Sequence, residues 1–345
     1  MTMTLKEFSK TIGMSQTTVS RALGGYPEVN EATRRKIREA AEQYNYHPNS
    51  RATGLATGRS MMIGHILATR TRHEMVNPIF GDFVASASKT YAEYGYDMMF
   101  TRVEDGNEEA SYLKLKARQV LDGLVVQGPT VKDAHIPILK KIGIPFVVHG
   151  RSSELTESYS WVDVNNRAAF KRATQFLIDL GHRRIGLING LEHMDYAFRR
   201  REGYTEALLE SGIEVDPALM SCDEMTEAFG YQRAQQMLQT DAPPTAFVVS
   251  SLISAFGVRR AAEQRGLVLG KDFSVVCHDD DLSYFENGRD VPIFTSTRSS
   301  VREAGRLLAE LLIEKISNPK MKDRHILLEA ALVVGTSTGP APSAG

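Results

Sequence analysis

A run of small hydrogen-bonding side chains lies near the N-terminus of the 345-residue chain. Gln16, Thr17, Ser20 and Arg21 stand one, three and four positions apart, a spacing that gathers them on one face of a helix. Arginine can bond to guanine O6 and N7 or to a phosphate, and glutamine can pair with adenine. These residue types therefore predict a short helix that reads the edges of bases in the major groove of DNA.

A helix-turn-helix would position this face. Ser15 can cap the start of the helix, because its side-chain oxygen can accept from an unpaired N–H of the first turn. Gly13 can supply the turn after an upstream helix whose apolar residues recur at helical spacing. Helix, glycine turn and capped polar helix are together the sequence form of a DNA-binding motif. The apolar positions predicted on these two helices are Leu5, Phe8, Ile12, Val19, Ala22 and Leu23.

A third helix is expected to begin after Asn30, a suitable N-cap, and to run to about residue 44. Its arginines fit either a solvated face or contacts to phosphate, which set affinity and register but do not read sequence. Pro48 ends this helix. Residues 48–60 have weak helix propensity and predict a hinge that is helical only when supported. One apolar stripe is formed by Ile37, Ala40, Ala41 and Tyr44.

The charge distribution separates this N-terminal segment from the rest of the chain. Residues 1–60 contain nine lysines and arginines against five glutamates, although the whole chain has a formal net charge of -1. A basic segment on an acidic body predicts a polyanion partner for the segment alone. No apolar run approaches the length of a transmembrane helix, and the first residues lack a signal-peptide pattern. Cys222 and Cys277 have no metal-ligand spacing, so we expect a reduced, cytoplasmic protein.

From residue 61 onward, short buried strands alternate with amphipathic helices. This alternation predicts an α/β fold with a doubly wound parallel sheet. It restarts near residue 160, which indicates two lobes with a cleft between them, and the tail 335–345 is expected to be disordered. Strands are predicted at 61–68, 96–100, 123–127, 145–149, 185–188, 246–249, 273–276 and 326–333. Helices are predicted at 80–94, 110–121, 136–142, 168–180, 199–211, 227–238, 255–265 and 302–316.

Several motifs resemble those of the lactose/galactose repressor (LacI/GalR) family of transcription regulators, over nearly the whole chain. The most specific is the pair of segments Thr17–Leu23 and Asn45–Asn49. The others are Asn77-Pro78-Ile79-Phe80, Leu180–Ile185, Arg200-x-x-Gly203-Tyr204 and Ser274-Val275-Val276-x-x-Asp279-Asp280.

The resemblance implies an all-helical helix-turn-helix head at 1–47, a hinge helix at 48–60 and a periplasmic-binding-protein-like core at 61–338. The N-lobe would comprise about 61–162 and 296–324, and the C-lobe about 163–295 and 325–338, before a disordered tail at 339–345. It also implies a homodimer on a pseudo-palindromic operator in double-stranded DNA, since two heads must present two recognition helices. The C-terminal segment lacks the leucine heptads of tetrameric members.

Residue roles carry over from the resemblance by position. Gln16, Thr17 and Arg21 match base-contacting positions, and Leu55 matches a leucine that wedges into the minor groove. Ala52 and Thr53 are small enough for two hinge helices to approach each other. Leu55 also fits an ordinary buried contact on composition alone. The complete set assigned to DNA is Ser15, Gln16, Thr17, Thr18, Ser20, Arg21, Asn30, Tyr46, Asn49, Ala52, Thr53 and Leu55.

The implied effector is a mono- or disaccharide bound between the lobes without a cofactor. Arg200 matches the arginine that holds an effector hydroxyl or carboxylate, and Asp279 the aspartate that accepts from sugar hydroxyls. Arg199 and Arg201 flank Arg200, so one residue of helix phase would change the assignment. The three consecutive aspartates from Asp279 also fit a cation, although no further ligands are evident. The set assigned to the effector is Ile79, Phe80, Val164, Arg200, Ser251, His278 and Asp279.

Two departures from the family pattern affect the cleft. Ser251 stands where an asparagine commonly touches the effector. His278 stands where tyrosine or phenylalanine is usual, and it fits either a titratable cleft residue or a buried structural histidine. The Ser250-Ser251 pair, with the segment Thr297–Arg302, is similar to regulators of α-glucoside and maltose-type uptake.

The alternative function is a sugar-binding protein or a sugar-processing enzyme on the same fold. Residues 266–272 look like a phosphate loop but have three residues between the glycines, and Asp272 follows Lys271 where a hydroxyl would be needed. The sequence has no dinucleotide fingerprint, zinc-protease motif or nucleophile elbow. We therefore expect a repressor of carbohydrate uptake or catabolism and no enzyme activity, while inducer and corepressor roles both remain open.

Overall fold

The computed structural model describes residues 3–23, 28–46, 59–68, 74–103 and 106–342. The chain divides into two compact units, one formed by residues 1–62 with 114–122 and the other by 63–113 with 123–345. The predicted hinge residues Asn49, Ala52, Thr53 and Leu55 lie outside the described residues.

Within the described residues up to position 46, the first unit forms three short helices, α1 (Leu5–Thr11), α2 (Gln16–Leu23) and α3 (Glu31–Gln43). A capping box starts α1, since the Glu7 N–H donates to Thr4 Oγ1 (3.3 Å) and the Thr4 N–H to Glu7 Oε2 (2.8 Å). Gly13 has φ +67° and makes the turn into α2 as expected. The buried core of this unit consists of Phe8, Val19, Ala22, Ile37, Ala41 and Tyr46.

The second unit is built from two six-stranded sheets with helices on both faces. The first sheet has the order β11-β5-β4-β3-β1-β2 and the second β12-β10-β9-β8-β6-β7. The strands are β1 (Met62–Ala68), β2 (Asp97–Val103), β3 (Gly123–Gln127), β4 (Phe146–His149), β5 (Trp161–Val164), β6 (Ile185–Asn189), β7 (Met220–Cys222), β8 (Ala246–Val249), β9 (Ser274–Asp279), β10 (Thr295–Arg298), β11 (His325–Leu328) and β12 (Ala331–Val333). The helices are α4 (Pro78–Glu93), α5 (Glu108–Arg118), α6 (His135–Ile142), α7 (Asn166–Asp179), α8 (Asp195–Glu210), α9 (Glu227–Leu238), α10 (Leu252–Glu263) and α11 (Val301–Ser317).

The central strands explain this architecture. All four residues of β8 and all five of β6 are buried, as expected for parallel strands covered by helices on both faces. The α/β class with two lobes is therefore confirmed. We call the lobe around the first sheet the N-lobe and the other the C-lobe. The chain crosses between them after β5, after β10 and after β11.

Three strands were missed from the sequence, and one predicted strand is wrong. β5 and β7 are only four and three residues long. β10 is the polar sequence Thr-Ser-Thr-Arg, which carries no apolar signal although its first three residues are buried. The predicted strand 326–333 is two strands in different sheets. Residues 325–328 therefore lie in the N-lobe sheet and 295–298 in the C-lobe sheet, which corrects the predicted lobe boundaries.

The segment 335–342 is ordered, contrary to our expectation for the tail. The N–H of Val275 donates to the carbonyl of Ser337 (2.9 Å), and the Ser337 hydroxyl donates to the carbonyl of Val275 (2.5 Å). The buried His182 approaches the carbonyl of Gly339 at 3.2 Å. Hydrogen bonds to the backbone of the neighbouring strand hold this segment in place, although its composition predicted disorder. Among the described residues, no helix is long and apolar enough to cross a membrane.

Candidate functional site

The face of α2 expected to meet DNA is open to solvent. Gln16, Thr17, Ser20 and Arg21 are all exposed, whereas Val19 and Ala22 on the opposite face are fully buried. The helix is therefore amphipathic, with the exposed polar face and the buried apolar face that the sequence predicted. Its exposed face presents glutamine and arginine together with hydroxyl groups, which are the donors and acceptors used for base readout.

Three other residues assigned to DNA have structural roles. The Thr18 N–H donates to Ser15 Oγ (3.0 Å), and the Thr33 N–H to Asn30 Oδ1 (2.8 Å), so Ser15 and Asn30 are the predicted N-caps. Both remain exposed beside the helix ends that they cap. Tyr46 differs from the prediction, because its ring is only 5% exposed and stacks on Phe8 with centroids 4.2 Å apart. Tyr46 thus belongs to the core of the unit rather than to its surface.

A cavity of about 380 Å³ lies between the two lobes. Residues at or just after the ends of β3, β4, β5 and β9 line it, as do the starts of α4, α9 and α11. This is the edge at which α/β sheets bind ligands, because the loops leaving parallel strands diverge there. Its polar and charged side chains include Gln127, His149, Arg151, Asp163, Asn166, Arg200, Glu224, His278 and Asp280.

Arg200 is the most tightly held of these residues. Its Nε donates to Asn166 Oδ1 (2.7 Å) and its Nη1 to the carbonyl of Ser250 (2.6 Å). The guanidinium lies over the rings of Phe170 and Tyr196, each centroid 5.0 Å away. Burial lowers the pKa of Arg200, and the charge of Asp280 opposes that shift. A guanidinium held in this way can bind a ligand oxygen without first losing side-chain entropy.

Asp280 lines the same cavity as Arg200 and interacts electrostatically with it and with two histidines. Its Oδ1 lies 3.5 Å from His278 Nε2. Burial alone raises the pKa of Asp280, but His278, Arg200 and His149 outweigh this effect and lower it. The carboxylate therefore stays ionised and can accept from ligand hydroxyls. Burial also lowers the pKa of His149 to about 4, so this ring is neutral near pH 7.

A second charge pair lines the N-lobe side. Arg151 Nε donates to Asp163 Oδ2 at 2.6 Å, and the guanidinium lies 4.9 Å from the centroid of Trp161. Burial raises the pKa of Asp163, and the ion pair with Arg151 opposes it. Asn166 joins this pair to Arg200, because its Nδ2 approaches Asp163 Oδ1 at 3.5 Å. The polar groups thus form one connected network.

Gln127 contributes an acceptor that nothing in the described structure uses. Its Oε1 is buried and has no hydrogen-bond partner among the described residues, although a buried amide oxygen without one is costly. The rest of the wall is mostly apolar, with the rings of Phe80 and Tyr196 among the lining residues. A wall that combines apolar and aromatic side chains with specifically placed polar groups is typical of small-molecule sites. The other apolar side chains are those of Val76, Pro78, Ile79, Pro129, Val164, Leu191, Met194, Met225, Ile253, Val301 and Ala304.

Two of the residues assigned to the effector do not line this cavity. Ser251 is fully buried and caps α10, where it accepts from the Ser254 N–H (3.1 Å). Asp279 is only 3% exposed, and its Oδ1 accepts from the Asp281 N–H (2.9 Å) in the turn that follows β9. The turn presents Asp280 instead. The residues that do line the cavity as predicted are Ile79, Phe80, Val164, Arg200 and His278.

His278 is a buried residue of the cavity wall. It lines the cavity, yet it is 1% exposed, and its ring nitrogens lie 3.1 Å from Thr297 Oγ1 and 3.3 Å from Ser299 Oγ. These bonds make it a positioning residue for Asp280.

Sequence reasoning missed Gln127, His149, Asp163 and Asn166. Gln127 and His149 end predicted strands, whereas Asp163 lies in β5, which was not predicted, and Asn166 begins α7. Strand ends were the available signal. The described residues hold no group of three or more His, Cys, Asp or Glu side chains placed to bind a metal ion.

Models of known protein families match the N-terminal segment and the C-terminal half of the chain. The model for bacterial regulatory proteins of the lacI family matches residues 4–49, and that for a periplasmic binding protein-like domain matches residues 174–338. The HTH-type transcriptional regulator AglR of Rhizobium meliloti (strain 1021) is 41% identical over 343 residues, covering 99% of this chain and 96% of the relative.

Two solved structures share the fold along nearly the whole chain. A complex of the transcriptional regulator CelR with cellobiose has a TM-score of 0.71 and 27% identity, over 97% of this chain and 99% of the other. The lac repressor dimer bound to operator and the anti-inducer ONPF has a TM-score of 0.80 and 24% identity, over 98% and 100%. With a relative as similar as AglR over almost its full length, the chain belongs to the LacI family of bacterial transcriptional regulators.

Proposed function

We propose that this regulator represses a carbohydrate uptake or catabolism operon and that a mono- or disaccharide bound between its lobes controls operator affinity. The observation that carries the proposal is that the charges of Arg200 and Asp280 line one cavity whose wall also presents aromatic and other apolar side chains. Sugars present paired hydroxyls to planar polar groups and apolar ring faces to aromatic side chains. The cellobiose complex of CelR supports a sugar as the ligand of this fold.

The DNA-binding half of the proposal rests on α2. Its exposed Gln16, Thr17, Ser20 and Arg21 would enter the major groove, with two copies of the chain reading two operator half-sites. We assign the head to residues 1–47, the hinge to 48–60 and the effector core to 61–338. The protein would act in the cytoplasm, and its proposed role is binding without catalysis.

The effector would act through the two lobes. A ligand changes DNA affinity only by the difference in its affinity for the two arrangements of the protein. Because the cavity has walls from both lobes, a bound sugar stabilises the arrangement in which both walls contact it. An inducer would favour the arrangement with lower operator affinity, and a corepressor the other.

The test begins with an operator selected by the purified protein from a randomised palindromic pool. Fluorescence anisotropy then measures DNA affinity with and without each sugar of a mono- and disaccharide panel. We expect one sugar to change the Kd for DNA at least about tenfold, within the usual range of coupling energies. A sugar that binds but leaves the Kd for DNA unchanged would contradict the proposed control.

A matched pair of variants tests the cavity. Asp280→Asn should weaken sugar binding by about tenfold or more, because a hydrogen bond to a charged group contributes roughly 1.5–3 kcal/mol. Asp279→Asn should leave it within about twofold, since an asparagine oxygen can still accept from the Asp281 N–H. The reverse result would return the effector role to Asp279.

A further inference from the structure

We infer that the effector is an uncharged polyol and that this cavity rejects its phosphorylated form. The inference rests on the proposed function and names the class of ligand at the same site. Two features of the cavity carry it, namely the balance of charge on its wall and the shortage of donors for an anion.

The charges on the described part of the wall are unfavourable for an anion. Two arginines and four carboxylates line the cavity, and no lysine is among the described lining residues. Arg151 is already paired with Asp163 (2.6 Å), and Glu227 is paired with Arg260 (2.7 Å). Arg200 has the carboxylate of Asp280 as a neighbouring charge on the same wall. A phosphate dianion that approached Arg200 would therefore meet this carboxylate as well, and repulsion between like charges is strong at low effective dielectric constant.

The hydrogen-bonding groups also require a ligand that donates. Gln127 Oε1 accepts nothing from the described residues, and the carboxylate of Asp280 accepts only. A hydroxyl group can donate to these oxygens and accept from Arg200. A phosphate dianion has acceptors alone, so a phosphate group placed against the Gln127 oxygen would leave that oxygen buried without a partner.

Helix N-termini, which commonly bind phosphate, are already occupied at this cavity. α4 is capped by Asn77 Oδ1, which accepts from the Ile79 N–H (3.0 Å). α9 is capped by Thr226 Oγ1, which accepts from the Phe229 N–H (3.1 Å), and its first turn carries Glu227. Side-chain caps and an acidic first residue compete with an incoming anion for the same positions.

The experiment compares neutral sugars with their 6-phosphates on the full-length protein. Glucose, sucrose and trehalose are each titrated beside the corresponding 6-phosphate, with glucosamine as a cationic probe, by calorimetry and by thermal shift. We expect at least one neutral sugar to bind and its phosphate to bind at least about tenfold more weakly. Asp280→Asn should reduce this discrimination several-fold, whereas Asp279→Asn, with the same change of charge outside the cavity, should preserve it.

The outcomes separate this inference from the proposed function. Tighter binding of a 6-phosphate or of glucosamine than of the neutral sugar would overturn the inference while leaving a sugar effector in place. Undiminished discrimination in Asp280→Asn would also overturn it. Binding of none of these probes would contradict both the inference and the proposed sugar effector.

Discussion

The backbone N–H of Ser153 in the N-lobe donates to Asp195 Oδ1 in the C-lobe at 2.7 Å. The Ser153 hydroxyl donates to the same oxygen, and Arg199 Nε donates to Oδ2 at 2.5 Å. Asp195 is only 1% exposed, and its own N–H donates to the carbonyl of Pro129 (3.0 Å) in the N-lobe. Pro129 and the neighbouring Met194 line the cavity. These bonds join the lobes directly beside the candidate ligand site.

Asp195→Asn should weaken sugar binding about threefold to tenfold without changing any lining residue. The substitution removes the charge that Ser153 and Arg199 share, so the arrangement with the lobes together is less populated and apparent affinity falls in proportion. Calorimetric titration measures the effect. Glu192→Gln is the matched control, because Glu192 pairs with Arg201 inside one lobe (2.6 Å). Equal affinities for both variants and the unmodified protein would show that the cross-lobe bonds do not contribute to binding.

Arg21→Ala should weaken operator binding by about tenfold or more, since a good arginine contact to a base is worth roughly 1–3 kcal/mol. Arg21 is exposed on α2 and forms no ion pair with the described residues. Arg35→Ala on α3 is the comparison, because Arg35 is exposed near Glu39 (3.8 Å). A phosphate contact there would lower affinity for all sequences and flatten the salt dependence. Anisotropy titrations at several salt concentrations distinguish the two, and unchanged affinity in Arg21→Ala would remove α2 from the interface.

Two buried histidines should make the folded protein less stable as the pH falls from 7 towards 5. Burial lowers the pKa of His65 to about 3 and that of His149 to about 4, below the ordinary value near 6.5. In this range the unfolded chain binds protons that the folded chain does not, so the free energy of unfolding decreases as the pH drops. The slope approaches about 1.4 kcal/mol per pH unit for each histidine.

His65→Leu is the variant that isolates this effect. His65 Nε2 lies 3.0 Å from the hydroxyl of Tyr91, and Nδ1 has no partner among the described residues, so an apolar side chain loses one hydrogen bond. We expect urea denaturation at pH 7, 6 and 5 to show a flatter dependence for the variant than for the unmodified protein. The same slope in both would mean that His65 takes up no extra proton on unfolding.

Gly203→Ala should destabilise the core by several kcal/mol, because a Cβ at this position would lie 2.1 Å from the carbonyl oxygen of Arg167 and 2.8 Å from the N–H nitrogen of Lys171. Both contact atoms belong to the backbone of α7, which cannot move aside as the end of a flexible side chain can. Gly81→Ala in α4 is the matched control, since a Cβ there meets nothing within 4 Å and alanine favours the helix. Denaturation midpoints compare the two, and similar midpoints would contradict the close packing of α7 against α8.

Local features of the sequence were sufficient to predict the helices α1, α2 and α3 of the first unit. Ser15 and Asn30 cap helices through their own neighbours, and Gly13 makes its turn because its backbone tolerates positive φ. The apolar runs of β3 and β8 were found with their observed bounds, since full burial requires a continuous apolar run. Each of these signals depends on residues close together in the chain.

The cavity depended on tertiary structure. The sequence alone does not distinguish the adjacent aspartates Asp279 and Asp280. The turn at Asp281, with φ +57°, determines which of the two carboxylates lines the ligand site. β10 forms from polar residues because its backbone pairs with β9 and β12. The network joining Asp163 to Arg200 likewise assembles groups from β5, α7 and α8. The sequence by itself therefore determined the fold class, the helix caps and the exposed face of α2, which are set by local periodicity. Only packing between distant segments decided which polar side chains share the cavity, because side-chain direction at a strand end depends on the turn and on the neighbouring strands.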